Sequence, residues 1–346
     1  MEMNIEAMLT EQLQRLFSDR IDRDAWVHAE EGRLDPSLWR DVQDMGITLA
    51  MCREELGGAG LGWAACEASL RLLGTYACPA PIGEALLGGW LLDQADLEVP
   101  QGILTLSDAD FRLDNSGRLH GTDSALSWLP VASHVVLCAE RGNARYLCLL
   151  SADQGQQSVV DTLDRLPCAR YQLDGVLPLQ MVQTPWLGEL GLRSYLATLR
   201  SIQIAGALNH VLDLCVEYAN TRVQFGKPIG KFQAIQQMIA ELAAQAAAAQ
   251  VAGLYAARQI DAGNSEQGAA VAKSLVGRSA TRAAAIAHQV FGAIGVTDEH
   301  SLHYYTRRLW QWRADAGSEH WWSERLGQQA LQSEGAALWA RITATL

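Results

Sequence analysis

The chain has 346 residues, 49% of them hydrophobic and 19% charged, with a formal net charge of −12. That length allows two or three domains around a well-buried core, and the composition excludes a disordered chain. No Lys/Arg cluster is interleaved with aromatics, so the acidic balance argues against nucleic acid or an anionic membrane surface as a partner; an anionic ligand must be met by local cations.

Residues 1–97 alternate apolar and polar positions at helical spacing, with Asp35-Pro36 as an N-cap and N1 pair ahead of Leu38, Trp39, Val42 and Met45. Within this helical region Glu54-Glu55-Leu56-Gly57-Gly58-Ala59-Gly60-Leu61 reads as a turn needing positive φ rather than a phosphate loop, because no strand precedes it and no Lys-Ser/Thr follows. Residues 98–186 change to short β-rich runs, Val135–Cys138 and Tyr146–Leu150 among them, separated by turns at Asn115–Gly117, Gly142-Asn143 and Asp153–Gly155. From 187 to 346 long helical periods return. The Ala-rich run from Ile239 to Gln259 suits a bundle of closely approaching helices, with Leu242, Val251, Leu254 and Tyr255 as its apolar stripe.

Two breaks in this last region carry the chemistry. The first, Tyr218-Ala-Asn-Thr-Arg222-Val-Gln-Phe225-Gly226-Lys-Pro228-Ile-Gly-Lys-Phe-Gln233, sets one arginine among small and amide residues between two helical segments. The second is His288-Gln289-Val-Phe291-Gly292-Ala293-Ile-Gly295. Read alone, Arg222 is equally a cation at a helix C-terminus, favoured by the macrodipole, and the glycine pair an ordinary helix-ending turn.

In family order, these segments resemble the Arg-x-x-Phe-Gly and Gln-x-Phe-Gly-Gly-x-Gly signatures of the acyl-CoA dehydrogenase family, and the Gly57 loop resembles that family's Pro-Glu-x-x-Gly-Gly-x-Gly element. The resemblance implies a mainly α fold with a central β domain: an N-terminal helical domain, a small β-barrel and a C-terminal four-helix bundle. It implies FAD as cofactor, contacted by Arg222, Phe225, Gln233, Gln289, Gly292 and Ala293, the arginine as a planar fork for the pyrophosphate. It also implies an acyl-CoA substrate desaturated between its α and β carbons, with electrons leaving to an electron-transfer flavoprotein.

The sequence departs from the family in two places. The glutamate that would serve as base falls on Ala316, in Ala316-Gly317-Ser318, leaving Asp315 and Glu319 as displaced alternatives; the stretch Tyr195–Arg200, where some members carry the glutamate instead, has no carboxylate. The flavin-contacting stretches of the family's β domain correspond to Leu104–Asp110 and Ser127–Pro130 and are degraded, with Trp128 read as a core aromatic. Contacts to a partner's flavin are kept and contacts to the chain's own flavin are lost. The resemblance therefore points to one subunit of a heteromeric α2β2 enzyme acting on a bulky, steroid-like acyl-CoA, paired with a homologous subunit. A self-sufficient homotetramer with a displaced base and a non-enzymatic scaffold of the same fold stay open as alternatives.

Seven cysteines lie singly in apolar surroundings without Cys-x-x-Cys or zinc-like spacing, so they read as buried thiols of a reducing compartment and no metal is expected. The acidic opening residues lack the basic region of a secretory signal and no apolar run approaches a membrane span; a cytoplasmic location is expected. Five of the eleven tryptophans, Trp310, Trp312, Trp321, Trp322 and Trp339, crowd the C-terminal segment. Some should fill the bundle core and the others, Trp321 or Trp322 foremost, should lie at subunit contacts.

Overall fold

In the computed structural model, which describes residues 5–332, the first region consists of five helices: α1 (Ile5–Arg20), α2 (Arg23–Glu30), α3 (Pro36–Asp44), α4 (Trp63–Thr75) and α5 (Ile82–Gln94). Helix α3 starts as expected, its Asp35 cap accepting from the Ser37 N–H at 2.8 Å with Pro36 at N1. Leu38, Trp39 and Val42 face the core, whereas Met45 sits exposed at the C-cap. The Gly57 loop is a turn, with Gly57 and Gly60 at φ +82° and +60°.

Seven strands follow: β1 (Leu104–Leu113), β2 (Leu119–Ser127), β3 (His134–Arg141), β4 (Ala144–Ser151), β5 (Gln156–Val159), β6 (Cys168–Val176) and β7 (Gln180–Gln183). They form one sheet in the order β5-β6-β2-β1-β3-β4-β7, antiparallel except for the parallel β1–β3 pair. The helical bundle comprises α6 (Arg193–Thr221), α7 (Gln233–Asp261), α8 (Ser265–Phe291), α9 (Leu302–Ala314) and α10 (Glu319–Leu331). Between α6 and α7 lies a short hairpin, β8 (Val223–Gln224) and β9 (Lys227–Pro228).

One apolar core runs through all three layers, joining Leu13 and Leu70 of the first helices, Leu106 and Val136 of the sheet, and Leu196 and Ile202 of α6. Helices α4 and α6 cross almost backbone to backbone. A Cβ on Gly74 would stand 1.8 Å from the Gln203 carbonyl oxygen and one on Gly206 2.0 Å from that of Arg71, so only glycine permits this approach. At the other end of the bundle Asp261 closes the N-terminus of α4, accepting from the Trp63 and Ala64 N–H groups at 2.8 and 2.9 Å.

The alanine-rich helix forms, but its core-facing stripe is Leu242, Ala246, Ala249, Ala252, Ala256 and Ile260, at helical spacing. Val251, expected in that stripe, is 71% exposed; at helical spacing it falls close to the face opposite the line set by the alanines. All seven cysteines are free, and all but the half-buried Cys138 are buried; burial pushes the Cys66 and Cys148 thiols up to about 12. No helix among the described residues is long and apolar enough to cross a membrane.

Candidate functional site

The first candidate site is a cavity of about 370 Å³ where the end of α6, the β8–β9 hairpin, the start of α7 and the end of α8 converge. Its floor is aromatic: Tyr218 stacks on Phe291 with ring centroids 4.4 Å apart, and His300 leans on the same phenylalanine at 4.5 Å. Ile229, Phe232, Ile235 and Val290 supply further apolar wall, and Arg222, Gln224 and Gln289 the polar edge.

Local sequence explains each position. Helix α6 ends at Thr221 because Arg222 turns to extended backbone (ψ 116°), its N–H still bonded to the Tyr218 carbonyl at 2.8 Å. The hairpin pairs Val223 with Pro228 and Gln224 with Lys227, leaving Phe225 and Gly226 as a two-residue turn with φ +50° and +79°. A phenylalanine in the left-handed region is uncommon, and this one is 91% exposed at the cavity mouth, edge-on to Phe232. Gly292, at φ +63°, stops α8 beside Gln289.

Four of the six residues expected to contact FAD, Arg222, Phe225, Gln289 and Gly292, line this one cavity. Gln233 opens α7 and Ala293 sits in the exposed turn after α8, and neither lines it. Ala293 does not require left-handed backbone, so the missing second glycine costs no conformation. Tyr218, Gln224, Phe232 and Phe291 were not singled out from the sequence as contact residues; their signal was aromatic and amide character inside the same motifs. Among the described residues Arg222 makes no ion pair, and it is the only cationic or anionic side chain in the lining.

The second site is a cleft of about 450 Å³ between sheet and bundle. Asp108 and Ser127 from the sheet, and Ala316 from the corner between α9 and α10, all line it. Trp128 turns away into a small cluster with Ala29 and Leu166, a core aromatic as expected. Ala316 and Gly317 have φ +53° and +94°, and the Trp322 indole donates to the Ala316 carbonyl at 2.9 Å.

Both displaced carboxylates at this corner are engaged. Asp315 accepts from Arg200 Nε at 3.1 Å and from Gln311 Nε2 at 2.8 Å; burial raises its pKa while the Arg200 charge opposes the rise. Glu319 is gripped by the Arg313 guanidinium, with Nε 2.8 and 2.9 Å from its two oxygens, and this bonding lowers its pKa. Behind them Lys273, fully buried, donates to the Trp312 and Arg313 carbonyls at 2.6 and 2.9 Å, and burial lowers its pKa to about 7. Arg200 also meets Glu84 at 2.7 Å, so the stretch Tyr195–Arg200 brings a cation to the cleft.

The tryptophan-rich segment divides. Trp312 and Trp322 are buried within the chain; Trp310 is 38% exposed, and Trp321 is half-buried with the Arg193 and Arg325 guanidiniums over its ring. Trp322 is therefore not a subunit contact as expected, because its indole fills the space between α8, α10 and the Ala316 corner. Trp339 lies outside the described residues.

Comparison with known proteins places these features. The family described as acyl-CoA dehydrogenase, C-terminal domain, matches residues 197–331. Acyl-CoA dehydrogenase IpdE2 of Mycobacterium tuberculosis is 30% identical over 285 residues, covering 81% of this chain and 82% of the relative. A variant of the Tcur3481-Tcur3483 steroid ACAD superposes with a TM-score of 0.87 at 23% identity, covering 96% of this chain and 98% of that one. The ChsE4-ChsE5 complex from Mycobacterium tuberculosis gives a TM-score of 0.84 at 22% identity, covering 95% and 98%. The two structures show the shared fold.

Proposed function

Because the chain belongs to the acyl-CoA dehydrogenase family, we propose that it is the base-less subunit of a heteromeric enzyme that desaturates a bulky acyl-CoA, its bundle cavity completing the FAD site of a homologous partner. The observation that carries this reading is Arg222: a cation at the rim of an aromatic-floored cavity that makes no ion pair among the described residues and can take an anionic group. The cavity suits the adenosine diphosphate half of FAD, with Tyr218 and Phe291 as the apolar floor, Gln289 and Gln224 as amide partners, and Arg222 for the pyrophosphate.

When bound, FAD supplies the acceptor for the hydride lost from the acyl β-carbon. This chain would anchor and orient it from one side. The α-proton must go to a carboxylate elsewhere, since Ala316 carries only a methyl group and Asp315 and Glu319 are held in ion pairs. That carboxylate, and the flavin-ring contacts, would come from the partner, giving an α2β2 assembly; reduced flavin would pass its electrons to an electron-transfer flavoprotein. A steroid-like acyl group is the substrate class favoured by the relatives, one of them a steroid ACAD.

The test is flavin retention in the complex co-expressed with the homologous subunit. Arg222→Ala is expected to weaken FAD binding by about 10- to 150-fold, the equivalent of roughly 1.5 to 3 kcal/mol for a charge-assisted bond. Gln289→Ala should act in the same direction but less strongly, having removed a neutral bond. Unchanged flavin affinity in the arginine variant would end this assignment.

A further inference from the structure

The cleft between sheet and bundle is where the family resemblance puts a subunit's own flavin, and its walls do not fit that group. The lining carries four carboxylates, Glu84, Asp108, Asp123 and Asp315, against the two guanidiniums of Arg193 and Arg200. An anionic group brought there, such as the phosphate next to a flavin ring, would meet a formal excess of two negative charges in a partly buried site.

The cations offer no compensation. Arg200 gives Nε to Asp315 at 3.1 Å and Nη1 to Gln203 at 2.8 Å, and its Nη2 stands 2.7 Å from Glu84 Oε1 as an ion pair. Arg193 gives Nε and Nη2 to the Asp108 carboxylate and carbonyl at 2.8 and 3.0 Å. Asp123 in turn accepts from Ser107 Oγ at 2.5 Å and the Ala125 N–H at 2.9 Å. A flavin entering this cleft would draw nothing from either guanidinium without breaking bonds already made. The bundle cavity has the opposite character: among the described residues its one charged side chain is positive and makes no ion pair.

Resting on the reading of the bundle cavity given above, we infer that the Glu84–Arg200–Asp315 network and the Arg193–Asp108 pair close this chain's own cleft to flavin, so that the complex holds one flavin for each pair of chains. The network has taken the place of the cofactor as the element that joins α5, α6, the sheet and the α9–α10 corner.

FMN, which has the ring and one phosphate but no adenosine half, probes the cleft when it is titrated into the Arg222→Ala chain, whose bundle cavity has lost its phosphate partner. There FMN is expected to show no saturable binding up to about 1 mM; saturable binding below that overturns the inference. Glu84→Gln combined with Asp315→Asn in that chain balances the lining and frees Arg200, and should bind FMN about ten-fold better than Arg222→Ala alone. Asp108→Asn, which frees Arg193 instead, should move binding in the same direction and serves if the double variant does not fold. No improvement in a folded variant would show that the network is not the barrier. Flavin counted in the purified complex separates the two ideas. Two flavins per pair of chains, with one lost in Arg222→Ala, would refute closure and keep the bundle-cavity reading. One flavin per pair that survives Arg222→Ala would do the reverse.

Discussion

Arg200 of α6 and Asp315 of the α9–α10 corner meet at 3.1 Å across 115 residues of sequence, and with Glu84 on the other side they form a nearly buried ionic triad. Such a group is costly to break and is of little net value to keep, because desolvation offsets most of the attraction. Arg200→Leu, which strands two carboxylates, should therefore destabilise the chain by about 3 to 5 kcal/mol. Replacing all three by apolar residues of similar size should be close to neutral. Urea unfolding of both variants is the measurement, and a mild Arg200→Leu would mean that the triad is solvated in solution.

Lys273 gives a pH dependence. Its ammonium sits against the carbonyl end of α9, where the helix dipole favours it, yet burial lowers its pKa to about 7. In the unfolded chain a lysine titrates near ~10.4. Between those values the unfolded chain binds the extra proton, so this group makes stability rise from pH 7 towards pH 10, by at most about 1.4 kcal/mol per pH unit. In Lys273→Met the rise should flatten, read from the denaturant midpoint across that range. An identical slope in the variant would assign it to other groups.

Restoring a carboxylate at the family position should not restore an enzyme. Ala316→Glu places one on a left-handed corner whose carbonyl is tied to Trp322, but both guanidiniums of the cleft lining are still held by the chain's own oxygens. No acyl-CoA-dependent reduction of an artificial acceptor is expected from the variant alone. Turnover without a partner would show that the Leu104–Asp110 wall can hold flavin after all.

Adjacent tryptophans should give different phenotypes. Trp322 is fully buried, so Trp322→Ala should cost about 3 to 5 kcal/mol of stability. Trp321, half-buried with two guanidiniums over its ring, is the better candidate for a subunit contact, and Trp321→Ala should keep the chain's helical content while weakening association. Circular dichroism and sedimentation with the partner separate the two effects. Full assembly in Trp321→Ala would remove this side chain from the interface.

The bundle motifs were legible because their information is local. A helix end, a two-residue turn and a capping glycine are each determined by a few consecutive residues, and Arg222, Phe225, Gln289 and Gly292 were readable at that scale. The change of period from helical to alternating and back likewise marked the layers. That both motifs border one cavity was decided by the packing of α6 against α7 and α8.

The cleft was different. The sequence alone determined that the base position holds a methyl group and that two carboxylates flank it, but it carried no sign that Arg200 and Arg313 engage those carboxylates, or that Glu84 joins from a separate helix. The same holds for Trp322 and Val251, whose burial and exposure depend on which neighbour covers them. Turn chemistry is paid for by the residues that make the turn, and so it is written in order along the chain. An ion pair or a packed indole depends on low dielectric and contact supplied by distant segments, and only the tertiary structure brings those together.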